Sequence, residues 1–184
     1  MPVLMKRNMT TSSTDGRPHY ASLDPDALSS QCEFRTTRRS GPGGQNRNKV
    51  ETAVILTHRP TGIVAEASER RSQNENRREA LFRLRLQLAL EIRSPTETAP
   101  YHPSPLWRSR LRGGKIVVSP EHDDFPALLA EALDVLEDRS HDVKLAAEAL
   151  DCSSTQLVKL LAAEPRALGQ INAQRARAGL RALR

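Results

Sequence analysis

Apolar residues along this chain recur with two periods, and the change from one to the other divides it. Between residues 32 and 68 the period is two. "CEFRTTR" (Cys32–Arg38) alternates and is rich in threonine, and "IVAEAS" (Ile63–Ser68) alternates again. "TAVILTH" (Thr52–His58) is β-branched and apolar throughout, the mark of a more deeply buried strand. "RPTG" (Arg59–Gly62) supplies a turn between the last two, which predicts a hairpin. Upstream, Asp24 before Pro25 is a helix-start pattern, and a short helix near 25–31 follows from it. "RLRLQLAL" (Arg83–Leu90) also alternates, yet three features predict a helix over residues 73–93. Ser72 and Glu75 are spaced as a capping box, and the residues are mostly strong helix formers. Leu81, Leu84, Leu88 and Ile92 also fall on one helical stripe. Ser94-Pro95 ends it.

Beyond that point the pattern changes. "SPTETAPYHPSPLW" (Ser94–Trp107) reads as a Pro-rich linker, and "GGKIVVSP" (Gly113–Pro120) holds one short strand-like run. From Pro126 the period is helical. Ala127–Asp138 is one helix, Asp142–Leu150 a second, a Ser153-capped segment to Ala163 a third, and Pro165 opens a fourth. The expected organisation is a poorly ordered segment 1–20, a mixed domain 21–94, a linker 95–120 and a helical region 121–184. The fold class is α+β: a small β-sheet with a packed helix, followed by an all-α C-terminal region.

Charge sharpens this division. The net charge of +6 resolves into −1 over residues 1–34, +7 over 35–93, −5 over 94–165 and +5 over 166–184. The basic segments suit a polyanionic partner or a solvated arginine-rich face. Cys32 and Cys152 are too few and too far apart for a disulfide framework or a zinc site, and paired burial as small hydrophobes is the expected role. No stretch approaches the 18 apolar residues of a membrane span, and the N-terminus lacks a secretory pattern. A cytoplasmic protein without a membrane association is expected.

The chemistry-bearing segment is "RRSGPGGQNRNKVET" (Arg38–Thr52), between the first two strands. Its glycines permit positive φ and close backbone approach to a bulky partner, and Pro42 restricts the loop. Arg38, Arg39, Arg47 and Lys49 can hold it against phosphates. The spacing fits neither a Walker loop nor a dinucleotide fingerprint.

Read in order, Gly43-Gly44-Gln45, Asn48-Lys49, "LTHRPTGI" and "RSQNENR" resemble the catalytic domain of class I peptide chain release factors. The resemblance is greater still to the short, stand-alone members of that family that rescue stalled ribosomes. It spans about Glu33 to Ile92. It implies codon-independent hydrolysis of peptidyl-tRNA in the large ribosomal subunit, with Gly43, Gly44 and Gln45 as the catalytic segment. Arg38, Arg39, Arg47, Asn48, Lys49, Arg71 and Arg77 would contact RNA. The implied partners are large-subunit rRNA and peptidyl-tRNA, bound by a monomer without cofactor or metal. Full-length factors carry a stop-codon-reading domain and an N-terminal helical domain for which this chain has no room. "GGQNRN" also departs from the commoner His-Val after the glutamine. The second reading is a non-catalytic ribosome- or RNA-binding protein that keeps the fold.

The C-terminal region is less specific. "DVKLAAEALDCSSTQLVKLLAAEP" has the cadence of a helix-turn-helix, but an acidic surround favours a self-contained helical bundle over DNA binding. The basic tail, residues 166–184, is a candidate for the mRNA channel. "EHDD" (Glu121–Asp124) reads as a helix-capping loop, and His58 as a hairpin residue.

Overall fold

The computed structural model describes residues 18–37, 52–96 and 101–184. The expected segment 1–20 therefore falls largely outside the described residues, as does the loop 38–51. Helix α1 (Pro25–Ser30) is opened by Asp24, whose side chain accepts the Asp26 N–H. Strands β1 (Cys32–Thr37), β2 (Ala53–His58) and β3 (Val64–Ala67) form an antiparallel sheet in that order. The register runs from Cys32 opposite His58 to Thr37 opposite Ala53, and from Val54 opposite Ala67 to Thr57 opposite Val64. Val54, Leu56, Ala65 and Ala67 are buried on one face, while Val64 and Glu66 on β3 are exposed on the other. The alternation is that of a one-sided sheet.

Helix α2 (Gln73–Glu91) covers the buried face. The Ser72 hydroxyl accepts the Glu75 N–H, the serine half of the expected box. The alternation in "RLRLQLAL" has a tertiary cause. Ala80, Leu84, Leu88 and Ile92 enter the sheet core, whereas Leu86 and Leu90 face a second core on the helix's other side. A helix buried on two sides carries apolar residues off its main stripe.

The second core is helical, so the α+β class holds in both its parts. It is built by α4 (Phe125–Asp138), α5 (Val143–Ala149), α6 (Ser154–Ala162) and α7 (Pro165–Arg177), around Phe125, Leu128, Leu129, Leu133, Leu136, Leu157 and Leu161. Asp142 and Ser153 cap α5 and α6. Residues 101–119, read from sequence as linker, carry α3 (Pro105–Arg110) and a hairpin of β4 (Leu111–Arg112) and β5 (Lys115–Ile116). Glu131 on α4 anchors this run, accepting from Tyr101 Oη, Ser104 N and Ser104 Oγ at 2.6–2.9 Å. Trp107 then enters the helical core at 1% exposure, its Nε1–H donating to Leu150 O at 2.8 Å. The basic tail is helical to Arg177 and docks through Ala167 and Ile171. Arg175 donates to the carbonyls of His141 and Arg181.

The two cores meet at α2 and α4. Buried Arg85 donates from Nε to Ala21 O at 3.0 Å and from Nη1 to Asp123 O at 2.6 Å. Arg93 caps the end of α2 by donating to the carbonyls of Ala89, Leu90 and Ile92.

Candidate active site

The sheet register fixes where the Gly-rich segment leaves the fold. Thr37 and Ala53 are the last paired residues of β1 and β2, so residues 38–51 connect neighbouring strands at one end of the sheet. β3 reaches its own last residue, Ala67, at that same end, opposite Val54. The β3–α2 connection and the first turn of α2 therefore lie beside the stem of the segment. The β2–β3 turn lies at the opposite end. There buried His58 donates from Nε2 to Gln31 Oε1 at 3.2 Å and accepts the Thr61 hydroxyl at Nδ1, 2.8 Å away. Burial lowers the pKa of His58, which keeps the ring neutral. His58 is thus a hairpin residue.

The stem is held by a buried amide. Asn76, on the second turn of α2, is 0% exposed. Its Nδ2 donates to Thr52 O at 2.7 Å and to Arg70 O at 2.9 Å, and its Oδ1 accepts the Arg70 N–H at 2.9 Å. Asparagine has no particular helix propensity, so no periodicity singles it out. The available signal was a short amide within "RSQNENR", where a buried donor–acceptor pair must satisfy backbone. The same connection is braced from its other side by Arg83, which donates to Glu66 O and pairs with Glu69 and Glu79 near 3.0 Å.

Two exposed cations stand at this end. Arg70 and Arg71 are exposed on the β3–α2 connection. Arg77, also exposed, donates from Nη2 to Ser29 Oγ at 2.8 Å, and its guanidinium lies 5.5 Å from the Phe34 ring centroid. Phe34 is 44% exposed on β1, so a planar cation stacked on an aromatic ring faces solvent. Sequence reasoning missed Phe34 because an alternating strand does not reveal which apolar residue sits at a sheet edge. Of the RNA-facing candidates, Arg71 stands on the connection beside the stem, whereas Arg77 leaves α2 next to Asn76 but carries its guanidinium to Ser29 and Phe34, toward the start of β1. Gly43, Gly44, Gln45, Arg38, Arg39, Arg47, Asn48 and Lys49 lie outside the described residues. Among the described residues, no group of three or more His, Cys, Asp or Glu side chains is disposed to hold a metal ion. No helix among them is long and apolar enough to cross a membrane.

Residues 24–103 match the RF-1 domain family. Within this segment the chain is similar to peptide chain release factors. Peptide chain release factor 1 of Xylella fastidiosa is 50% identical over 64 residues, covering 35% of this chain and 18% of that protein. Its counterpart in Chloroherpeton thalassium is 44% identical over 86 residues, covering 41% and 24%. The chloroplastic peptide chain release factor PrfB1 of Arabidopsis thaliana is 56% identical over 52 residues, covering 28% and 11%. The chain thus spans about a fifth of the length of the bacterial relatives it matches. Helices α4 to α7 lie outside the matched segment.

Proposed function

We propose that this protein hydrolyses peptidyl-tRNA on stalled ribosomes without reading a codon, with Gly43-Gly44-Gln45 as its catalytic segment. The observation that carries the reading is positional: in a segment homologous to release factors, this triplet is inserted between paired strands, and the exposed Arg70 and Arg71 lie on the connection beside that end. The ester joining peptide to tRNA is activated, so the protein's task is to place water and stabilise an oxyanion. The water oxygen attacks the ester carbonyl carbon, the bond to the tRNA 3′-oxygen breaks, and that oxygen takes the proton. The products are a free peptide acid and a 3′-hydroxyl. The Gln45 backbone N–H donates to the developing oxyanion or to the leaving oxygen. Its side-chain amide, a donor and acceptor without charge, shapes the water's pocket. Glycines at 43 and 44 let the backbone enter a crowded RNA site.

Arg38, Arg39, Arg47, Asn48, Lys49, Arg71 and Arg77 contact large-subunit rRNA and tRNA in this reading. The protein acts in the cytoplasm as a monomer, and needs no cofactor because RNA completes the site. The basic tail is the segment offered to the mRNA channel. Arg166, Arg177, Arg181 and Arg184 are its exposed cations, Arg166 being paired with Glu164, while Arg175 donates to the carbonyls of His141 and Arg181. The test is release of labelled peptide from ribosomes carrying peptidyl-tRNA on truncated message. Wild type releases peptide and Gln45→Ala does not. Equal release by both refutes the Gln45 mechanism, release only with a stop codon in place refutes codon independence, and ribosome association without release supports the non-catalytic reading instead.

A further inference from the structure

We infer that Asn76 is a positioning residue: a single buried amide that couples the stem of the Gly-rich segment to the cationic β3–α2 connection. The inference deepens the proposed function and rests on it for its kinetic consequence. Thr52 lies one residue outside the β1–β2 ladder, which ends at the Thr37–Ala53 pair. Its carbonyl is taken up by Asn76 Nδ2, which extends the order of β2 one residue toward Gln45. The second proton on that nitrogen and the Oδ1 atom bind Arg70 O and Arg70 N. One side chain thereby sets the distance between the return strand of the catalytic segment and the backbone that carries Arg70 and Arg71.

The geometry is not that of an ordinary helix start. Ser72 already caps α2 through the Glu75 N–H, and Arg83 already braces the connection at Glu66 and Glu69. The contact that neither duplicates is the one to Thr52. An apolar residue of the same size would leave two carbonyls and an N–H without their protein partner at a partly buried site. An aspartate keeps the acceptor for Arg70 N–H, loses both donors and sets a carboxylate against two carbonyl oxygens.

The experiment uses the full chain and three variants, Asn76→Asp, Asn76→Ala and Leu160→Ala, the last a core variant in α6, remote from the stem. Steady-state peptide release from ribosomes on truncated message gives kcat and KM, and thermal unfolding gives Tm. Both Asn76 variants lower kcat by about 10- to 100-fold, the penalty of misplacing a reactive segment by about an ångström, with KM within about twofold. Leu160→Ala lowers Tm but keeps kcat. In parallel, trypsin cleavage after Arg47 and Lys49 in the free protein accelerates in the Asn76 variants and not in Leu160→Ala. Wild-type kcat in both Asn76 variants overturns the inference, as does a kcat loss shared by Leu160→Ala at matched Tm. If wild type releases no peptide, the proposed function fails by itself. The trypsin arm still decides the clamp, and unchanged cleavage in the Asn76 variants overturns it.

Discussion

Asp134 on α4 gives the most quantitative expectation. It is 7% exposed beside the junction of the two cores, and its carboxylate accepts the Ser94 N–H at 3.0 Å. Burial raises its pKa from the usual 3.8 to about 7, against the favourable pull of the Ser94 N–H and of Arg93. Glu131 and Glu137, one turn away on either side, add to the rise. The sign follows from linkage. Between pH 3.8 and about 7 the unfolded chain loses this proton while the folded chain keeps it, so the folded state weakens as pH rises. About three pH units at about 1.4 kcal/mol each amount to a penalty of up to about 4 kcal/mol, complete above pH 7. Buried His19 acts in the opposite direction. Desolvation lowers its pKa to about 4, so stability is lost as pH falls from 6.5 toward that value. In wild type the two slopes oppose one another over that range. Asp134→Asn keeps an acceptor for Ser94 and removes the charge, leaving the His19 slope exposed. Urea unfolding from pH 4 to pH 8 checks this, read as midpoints at constant m-value. The variant should match wild type near pH 4 and exceed it by up to about 4 kcal/mol at pH 8. Parallel profiles for the two proteins across that range would refute the reasoning.

Other outcomes follow from the same contacts. Trp107→Phe removes the Nε1–H that satisfies Leu150 O in the helical core, and should cost about 1–3 kcal/mol in denaturant unfolding. Leu160→Ala, which truncates a buried side chain of α6, should cost about 2–5 kcal/mol by the same measurement. Arg77→Met should raise KM for ribosomes, leave kcat unchanged and reduce the salt slope of binding by about one, measured by filter binding across a salt series. Arg85→Met should leave Ala21 O and Asp123 O unpaired at the junction, and should lower Tm measurably in a thermal scan.

Much of the sheet domain was legible because its signals are local. Asp24-Pro25, Ser72 with Glu75, and the period-two runs each specify an element from a few adjacent residues, and β1, β2, β3, α1 and α2 form within a residue or two of the expected bounds. The C-terminal helices were legible for the same reason, through Asp142, Ser153 and Pro165. The Pro-rich run was harder to read. Proline and glycine report backbone restriction but not packing, so nothing in "YHPSPLW" announces that Glu131, thirty residues on, collects Tyr101 and Ser104 and seats Trp107 in the core. The cysteines are half-buried in separate places rather than enclosed, Cys32 at the start of β1 and Cys152 beyond α5. Composition carries no information on depth.

By itself the sequence determined the chemistry on offer: a Gly-Gly-Gln segment among cations, between strands, with helices to follow. Those are properties of residue identity and short spacing, where backbone preference and hydrogen-bonding capacity act within one turn or one strand. Only the tertiary structure decided which end of the sheet carries that segment, and that Arg70 and Arg71 stand at that end while the Arg77 guanidinium turns to Ser29 and Phe34. It also decided that Asn76 reaches back 24 residues to hold the stem at Thr52. A buried amide is worth having only where its partners arrive, and their arrival depends on strand register and on the packing of α2 between two cores.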